Sequence, residues 1–237
     1  MTVKLEGKWA LVTGASRGVG QQIALGLAKK GVNLVLHSSD VNNQDKTKAL
    51  LKDLNVKVES VASNLEEPKS IQASLELAEK LSGGIDILYN NAAIMTPFLD
   101  LFETPIEDYH KSFQINVYAV IQACNFFAPK MQARGFGRII NTTSGIKDTP
   151  SLDAYSISKA ALDKYTRDLA VHLAGTGVLA NLFDPGWCRT DLGGDQAWND
   201  VSSVLPGALL PAMIGKEGDE EPRGMWFSAQ DFAGMDI

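Results

Sequence analysis

The sequence predicts an α/β fold: a mostly parallel, seven-stranded, doubly wound sheet with helices on both faces. Three observations predict it. Seven short apolar runs recur along the chain, longer stretches of helical periodicity separate them, and a glycine-rich turn directly follows the first run. A length of 237 residues with 45 % hydrophobic content fits one domain over residues 1–237, since single α/β domains reach roughly 200 to 250 residues.

The first run is Trp9–Thr13, and it ends in Thr13-Gly14-Ala15-Ser16-Arg17-Gly18-Val19-Gly20. Val19, Ile23 and Leu27 then recur at helical spacing, Gly31 stops that helix, and residues 32–36 form the next run. This is a βαβ unit of the length a right-handed crossover needs. Further strands are predicted at 56–61, 85–90, 137–143, 178–183 and 225–227, with helices over 41–54, 67–82, 105–133, 153–174 and 204–214. Ligands of such sheets gather at the carboxyl ends of the strands. Residues 191–214, with their glycines and Trp198, have the composition of a substrate lid, and the charged stretch 216–223 reads as a solvated turn.

Composition narrows the function. With 28 acidic against 22 basic residues, the chain carries no electrostatic footprint for nucleic acid or an anionic membrane. No stretch approaches the ~18 consecutive apolar residues of a membrane span, and the first eight residues lack a signal-peptide core, so the expected location is cytoplasmic. Cys124 and Cys188 lie far apart, and His37, His110 and His172 are scattered, which argues against a metal site or a disulfide framework.

Two patterns carry chemistry. Glycines between a strand and a helix let the backbone approach a pyrophosphate at the positive end of that helix. Farther on, Tyr155-Ser156-Ile157-Ser158-Lys159 places a phenol and an ammonium one turn apart on one helix face. Free tyrosine titrates near pH ~10, and a neighbouring cation is expected to lower that value and ready the phenol for proton transfer.

Taken in order, Thr13-Gly14-x-x-x-Gly18-x-Gly20, Asn90-Asn91-Ala92, Asn116, Ser144 and Tyr155-x-x-x-Lys159 resemble the motifs of the short-chain dehydrogenase/reductase family, a likeness that runs from about residue 6 to 228. The resemblance implies a Rossmann-type fold and hydride transfer between a nicotinamide cofactor and a carbonyl or alcohol substrate. It casts Tyr155 as general acid/base and Lys159 as the residue that tunes Tyr155 and binds the nicotinamide ribose. Ser144 would orient the substrate oxygen, and Asn116 would hold a water in a proton relay to Lys159. Serine precedes tyrosine by less than the family's usual gap, which Thr142 would restore; Ser144 is preferred and Thr142 stays open.

The same resemblance assigns the cofactor to Gly14, Ser16, Arg17, Gly18, Val19, Gly20, Ser38, Ser39, Asn64, Leu65, Asn91, Ala92, Ala93, Tyr155, Lys159, Pro185, Gly186, Cys188 and Thr190. Ser38 stands where relatives using NAD(H) carry an aspartate, and Arg17 resembles the cation that meets a 2′-phosphate, so NADP(H) is expected ahead of NAD(H). Asn64 replaces the family's usual aspartate, and Ala93 replaces a glycine. The string Pro185-Gly-Trp-Cys-Arg-Thr-Asp-Leu-Gly-Gly194 looks like a carbonyl-reductase-type subgroup, with Cys188 near the cofactor through its backbone. Met95, Phe98, Leu152, Trp187 and Trp198 could furnish an apolar pocket for a neutral ketone or aldehyde. Segments 105–133 and 153–174 resemble helices through which relatives form homodimers or homotetramers. The alternatives are an NAD-linked alcohol dehydrogenase on this fold and a catalytically silent cofactor-binding regulator; chain length and glycine spacing disfavour a sugar-nucleotide epimerase.

Overall fold

The structure, a computed structural model, describes residues 3–148, 152–215 and 222–235. Most of the stretch read as a solvated turn, 216–221, lies outside them. Seven strands form one sheet: β1 (Trp9–Thr13), β2 (Asn33–Ser38), β3 (Val58–Ala62), β4 (Ile87–Asn90), β5 (Gly137–Thr142), β6 (Val178–Asp184) and β7 (Trp226–Ser228). Their spatial order is β3-β2-β1-β4-β5-β6-β7, and every neighbouring pair is parallel. This is the doubly wound, Rossmann-type arrangement that the alternating pattern predicts.

Strand side chains alternate between two cores. Ala10, Val12, Leu34 and Leu36 pack with Ile23 and Leu27 of α1 (Gly18–Lys29) and with Leu209 and Met213 on one face. Leu11, Val35 and Leu88 point the other way, against Ile71 and Leu75 of α3 (Pro68–Ser82), which follows α2 (Asp45–Leu51). Burying each such aliphatic side chain contributes roughly 1.5–3 kcal/mol, and burial on both faces explains why the strands read as apolar runs. The strand order reverses between β1 and β4, so the crevice that positions the site opens at the carboxyl ends of these two strands.

Three predicted helices are subdivided, the first of them, 41–54, into a 3₁₀ turn at Val41–Gln44 and α2. The stretch 105–133 contains α4 (Ile106–Phe113), a π-helical turn at Gln114–Tyr118, and α5 (Ala119–Arg134). Such widened turns concentrate at functional sites, and this one holds Asn116. The stretch 204–214 is irregular: 3₁₀ turns at Val201–Val204 and Gly207–Leu209 precede the four-residue α7 (Leu210–Met213), which follows α6 (Asp153–His172). Pro206 and Pro211 lack the N–H groups that a continuous helix requires. Among the described residues no helix is long and apolar enough to cross a membrane.

Candidate active site

The floor of the crevice is the glycine turn. Gly14 and Gly18 have φ of 68° and 59°, in the left-handed region open to glycine. A Cβ on Gly14 would stand 3.0 Å from Ala92 Cα, and one on Gly20 would press into the Gly14 carbonyl and stand 2.6 Å from Asn91 Nδ2. Thr13 staples the two strand ends: its Oγ1 accepts from the N–H groups of Asn91 (2.9 Å) and Ala92 (3.0 Å), while Asn91 Nδ2 donates to the Thr13 carbonyl at 3.1 Å. Arg17 is extended at the start of α1 and gives it no side-chain cap. The bare cradle and the uncapped first turn, Gly18–Gly20, fit a dinucleotide's diphosphate.

At the end of β2 the Ser38 hydroxyl is engaged within the protein. Ser38 is buried; its hydroxyl donates to the Asp40 carbonyl at 2.6 Å and accepts from Gln44 Nε2 at 2.9 Å. The cause is Gln44, fully buried, which also bonds the Leu36 and Val61 carbonyls and draws the hydroxyl inward. Ser39 stays exposed at the rim. Arg17 meets the Asp191 carboxylate at 3.0 Å, both side chains being mostly exposed. Asn64 Oδ1 accepts from the Glu66 N–H, a local turn before α3, and half-buried Leu65 offers its carbonyl to Gln114 Nε2. His37, on the opposite face from Ser38, bonds Ser63 Oγ through Nε2 at 2.7 Å, and burial pushes its pKa down to about 4.

The reacting groups come from the end of β5 and one face of α6. Tyr155 is hydrogen-bonded to Ser144, while Thr142 is buried and its hydroxyl has no partner among the described residues. β5 ends at Thr142, Thr143 N–H still donates to the Phe183 carbonyl of β6 at 2.8 Å, and the 3₁₀ turn Gly145–Asp148 follows Ser144. Lys159 Nζ donates to the Thr142 carbonyl at 2.8 Å and lies 5.6 Å from the centre of the Tyr155 ring. The expected lowering of the phenol's pKa is overturned. Burial pushes Tyr155 up to about 12, with the Asp184 charge adding to the rise and the Ser144 bond opposing it. Burial likewise pushes Lys159 down to about 8, opposed by Asp163 and Asp184. Burial is the largest cause at both groups, and Tyr155 holds its proton at neutral pH.

Asn116 is fully buried and its amide is committed elsewhere than to Lys159: Oδ1 accepts from Ile94 N–H, and Nδ2 donates to the Ile94 carbonyl and to Ser158 Oγ. It ties the chain after β4 to α6 one residue from Lys159.

After β6, Pro185-Gly186 leads the chain back over the glycine turn. Thr190 accepts from Gly193 N–H at 3.0 Å, and a Cβ on Gly18 would stand 3.3 Å from Thr190 Cγ2. Cys188 is buried, its Sγ donates to the Pro185 carbonyl at 3.2 Å, and its pKa is pushed up to about 11, so its thiol is no nucleophile. Ala93 lies half-buried beside this path. Of the expected pocket, Trp187 and Trp198 pack edge to face at 4.7 Å, and Met95, Phe98 and Trp198 are exposed. Thr104 Oγ1 bonds Asp153 and holds the 94–104 segment to the start of α6.

Two carboxylates escaped the sequence reading. Asp163, buried on the turn after Lys159, accepts from Thr143 Oγ1, and Asp184 ends β6 beside Tyr155 and Lys159. The signals were available: an i+4 acid after the lysine, and an acid at a strand's carboxyl end. Among the described residues no three His, Cys, Asp or Glu side chains converge as a metal site.

The sequence model of the family described as short chain dehydrogenase matches residues 8–200. The chain belongs to that family. It is 35 % identical over 188 residues to the dehydrogenase/reductase SDR family member 4 of Bos taurus, covering 78 % of this chain and 67 % of the relative. Among solved structures, a 3-oxoacyl (acyl-carrier-protein) reductase of Agrobacterium tumefaciens with NADP bound superposes with a TM-score of 0.86 at 26 % identity, over 94 % of this chain and 93 % of that one. An NAD+-bound xylitol dehydrogenase gives 0.82 at 25 %, over 95 % and 98 %. This short-chain dehydrogenase is thus an oxidoreductase of a family that binds a nicotinamide cofactor and acts on small molecules.

Proposed function

We propose that this short-chain dehydrogenase transfers a hydride between NADP(H) and a carbonyl or secondary-alcohol substrate, with Tyr155 as the general acid/base. The observation that carries the reading is the convergence of Tyr155, Ser144 and Lys159 where the Pro185–Thr190 segment closes on the glycine turn. The bound nicotinamide would supply or take the hydride. Ser144 and Tyr155 together hydrogen-bond the substrate oxygen and fix it in place. Tyr155, protonated at neutral pH, gives its proton to that oxygen in the reductive direction. Lys159, braced on the Thr142 carbonyl, stabilises the phenolate left behind and binds the nicotinamide ribose, while Asn116 holds the relay in register with α6.

Gly14, Ser16, Gly18, Val19 and Gly20 hold the diphosphate. Ser39, Asn64 and Leu65 flank the adenosine, and Asn91, Ala92, Ala93, Pro185, Gly186, Cys188 and Thr190 line the nicotinamide end. NADP(H) is favoured because no carboxylate occupies position 38 and Arg17 lies at the mouth of the groove; the resemblance to an NADP-bound reductase supports it. One observation favours NAD(H) as a second reading: Arg17 is engaged by Asp191, as noted above, and an NAD+-bound dehydrogenase is also similar. The open, weakly charged cleft suits a neutral ketone or aldehyde, with 191–214 as its lid, in a cytoplasmic homodimer or homotetramer. Fluorescence titration with NADPH and NADH, followed by nicotinamide absorbance against a panel of aldehydes and ketones, tests the reading. Tighter NADPH binding with turnover is expected; preference for NADH would establish the second reading, and tight binding with no turnover would make the chain a silent cofactor binder.

A further inference from the structure

The reacting centre contains a carboxyl group to which none of these roles belongs. Asp184 is the last residue of β6, and its side chain points back between two loops. Its Oδ1 accepts from Gly186 N–H at 2.9 Å, in the turn that carries Pro185 over the cofactor groove. It also accepts from the Gly145 N–H, on the residue after Ser144, and a Cβ on Gly145 would stand 3.4 Å from its Oδ2. One carboxyl therefore ties the serine loop to the Pro-Gly turn. The charged or titratable groups that interact with it are Tyr155 and Lys159 from α6, Cys188 from its own loop, and Asp231 from the 3₁₀ turn Ala229–Phe232.

We infer that Asp184 is a positioning residue for this reaction: its carboxyl braces the Ser144 loop against the Pro-Gly turn and brings a titratable acid close to Tyr155 and Lys159. The inference rests on the hydride-transfer reading for its catalytic meaning, but its electrostatic half concerns the free protein alone. The sign is fixed by charge. A carboxylate beside a phenol disfavours the phenolate, and beside an ammonium it favours the cation, so it raises both pKa values. Burial raises the carboxyl's own pKa, while Lys159 and the two glycine N–H groups hold it down. A neutral residue at this position would release Tyr155 to ionise earlier and let Lys159 lose its proton earlier.

The test is a tyrosinate-absorbance titration of the full-length protein without cofactor, with Tyr155 isolated by subtracting the same titration of a Tyr155→Phe background. Asp184→Asn keeps an oxygen that can accept from Gly186 N–H and removes the charge. The Tyr155 midpoint should fall toward lower pH, and in turnover assays the alkaline limb of the kcat profile should fall with it. Asp184→Ala should show the same titration shift and, having lost both backbone bonds, a larger drop in kcat. If Asp184→Asn does not fold, Asp184→Ser repeats the titration with a smaller neutral acceptor. An unmoved Tyr155 midpoint in a folded neutral variant overturns the electrostatic role, and kcat equal in Asp184→Asn, Asp184→Ala and the parent overturns the bracing role. Absence of turnover in the parent would instead overturn the hydride-transfer reading, and the absorbance titration would still decide the charge.

Discussion

The two walls of the crevice are made from different materials. The nucleotide wall is backbone held by buried side chains: Gly14 and Gly18 in left-handed conformations, the Thr13 staple to Asn91 and Ala92, and Gln44 locking the ends of β2 and β3. The wall we propose for the substrate carries exposed side chains on irregular segments, with Phe98 67 % and Trp198 73 % accessible. The difference teaches that one wall is a rigid holder for a ligand of fixed shape, while the other can be rebuilt without disturbing the fold. Tyr155 stands at the seam.

Substitution at that seam should have the largest effect. Tyr155→Phe removes the proton donor and almost no volume, so turnover should fall by ~10²–10⁴-fold while dinucleotide binding is preserved. Steady-state kinetics alongside fluorescence titration checks both halves, and parental turnover in the variant would sink the acid role. On the nucleotide wall, Gly20→Ala forces a methyl into the Gly14 carbonyl and Asn91. It should cost about 3 kcal/mol of stability together with dinucleotide binding, measured by urea unfolding with and without cofactor.

His37 supplies a pH-dependent version of the same contrast. Its folded pKa of about 4 lies below the unfolded value of 6.5, so the unfolded chain binds the extra proton between these values. Its contribution is intact above pH 6.5 and is lost as pH falls toward 4, by about 3 kcal/mol in total. Urea unfolding across that window should show this loss in the parent and not in His37→Gln; identical slopes would remove His37 from the account. The smallest effect belongs to the other wall. Trp198→Ala should change KM for bulky carbonyls by a few-fold, roughly 1 kcal/mol or less, and leave cofactor affinity unaltered. A loss of cofactor binding would show that the walls are coupled.

This division also explains what was legible in the sequence. The βαβ unit, the glycine turn and the Tyr155–Lys159 pair are local, and periodicity or spacing within a few residues specifies them. The π-helical turn at Asn116 is not, because its bonds to Ile94 and Ser158 join residues far apart in the chain. Ser38 looked like a ligand contact because it ends a strand at the right place; only Gln44, reaching back from the next turn, shows that its hydroxyl faces inward. The direction of the Tyr155 shift was misread for a related reason. Spacing reveals a neighbouring cation, whereas burial, the larger effect here, depends on the whole fold. Asp184 was visible as a letter, but its contacts to Gly145 and Gly186 exist only because the fold sets the end of β6 beside two loops.

The central claim, hydride transfer coupled to proton donation at Tyr155, is met most directly by mass spectrometry of the product. NADPH deuterated at the transferable position of its nicotinamide would be incubated with the protein and a neutral ketone that it turns over. The account predicts an alcohol carrying one deuterium on its carbon, formed by the parent and almost absent with Tyr155→Phe. An alcohol without the label, or labelled alcohol formed equally fast by the variant, would contradict it.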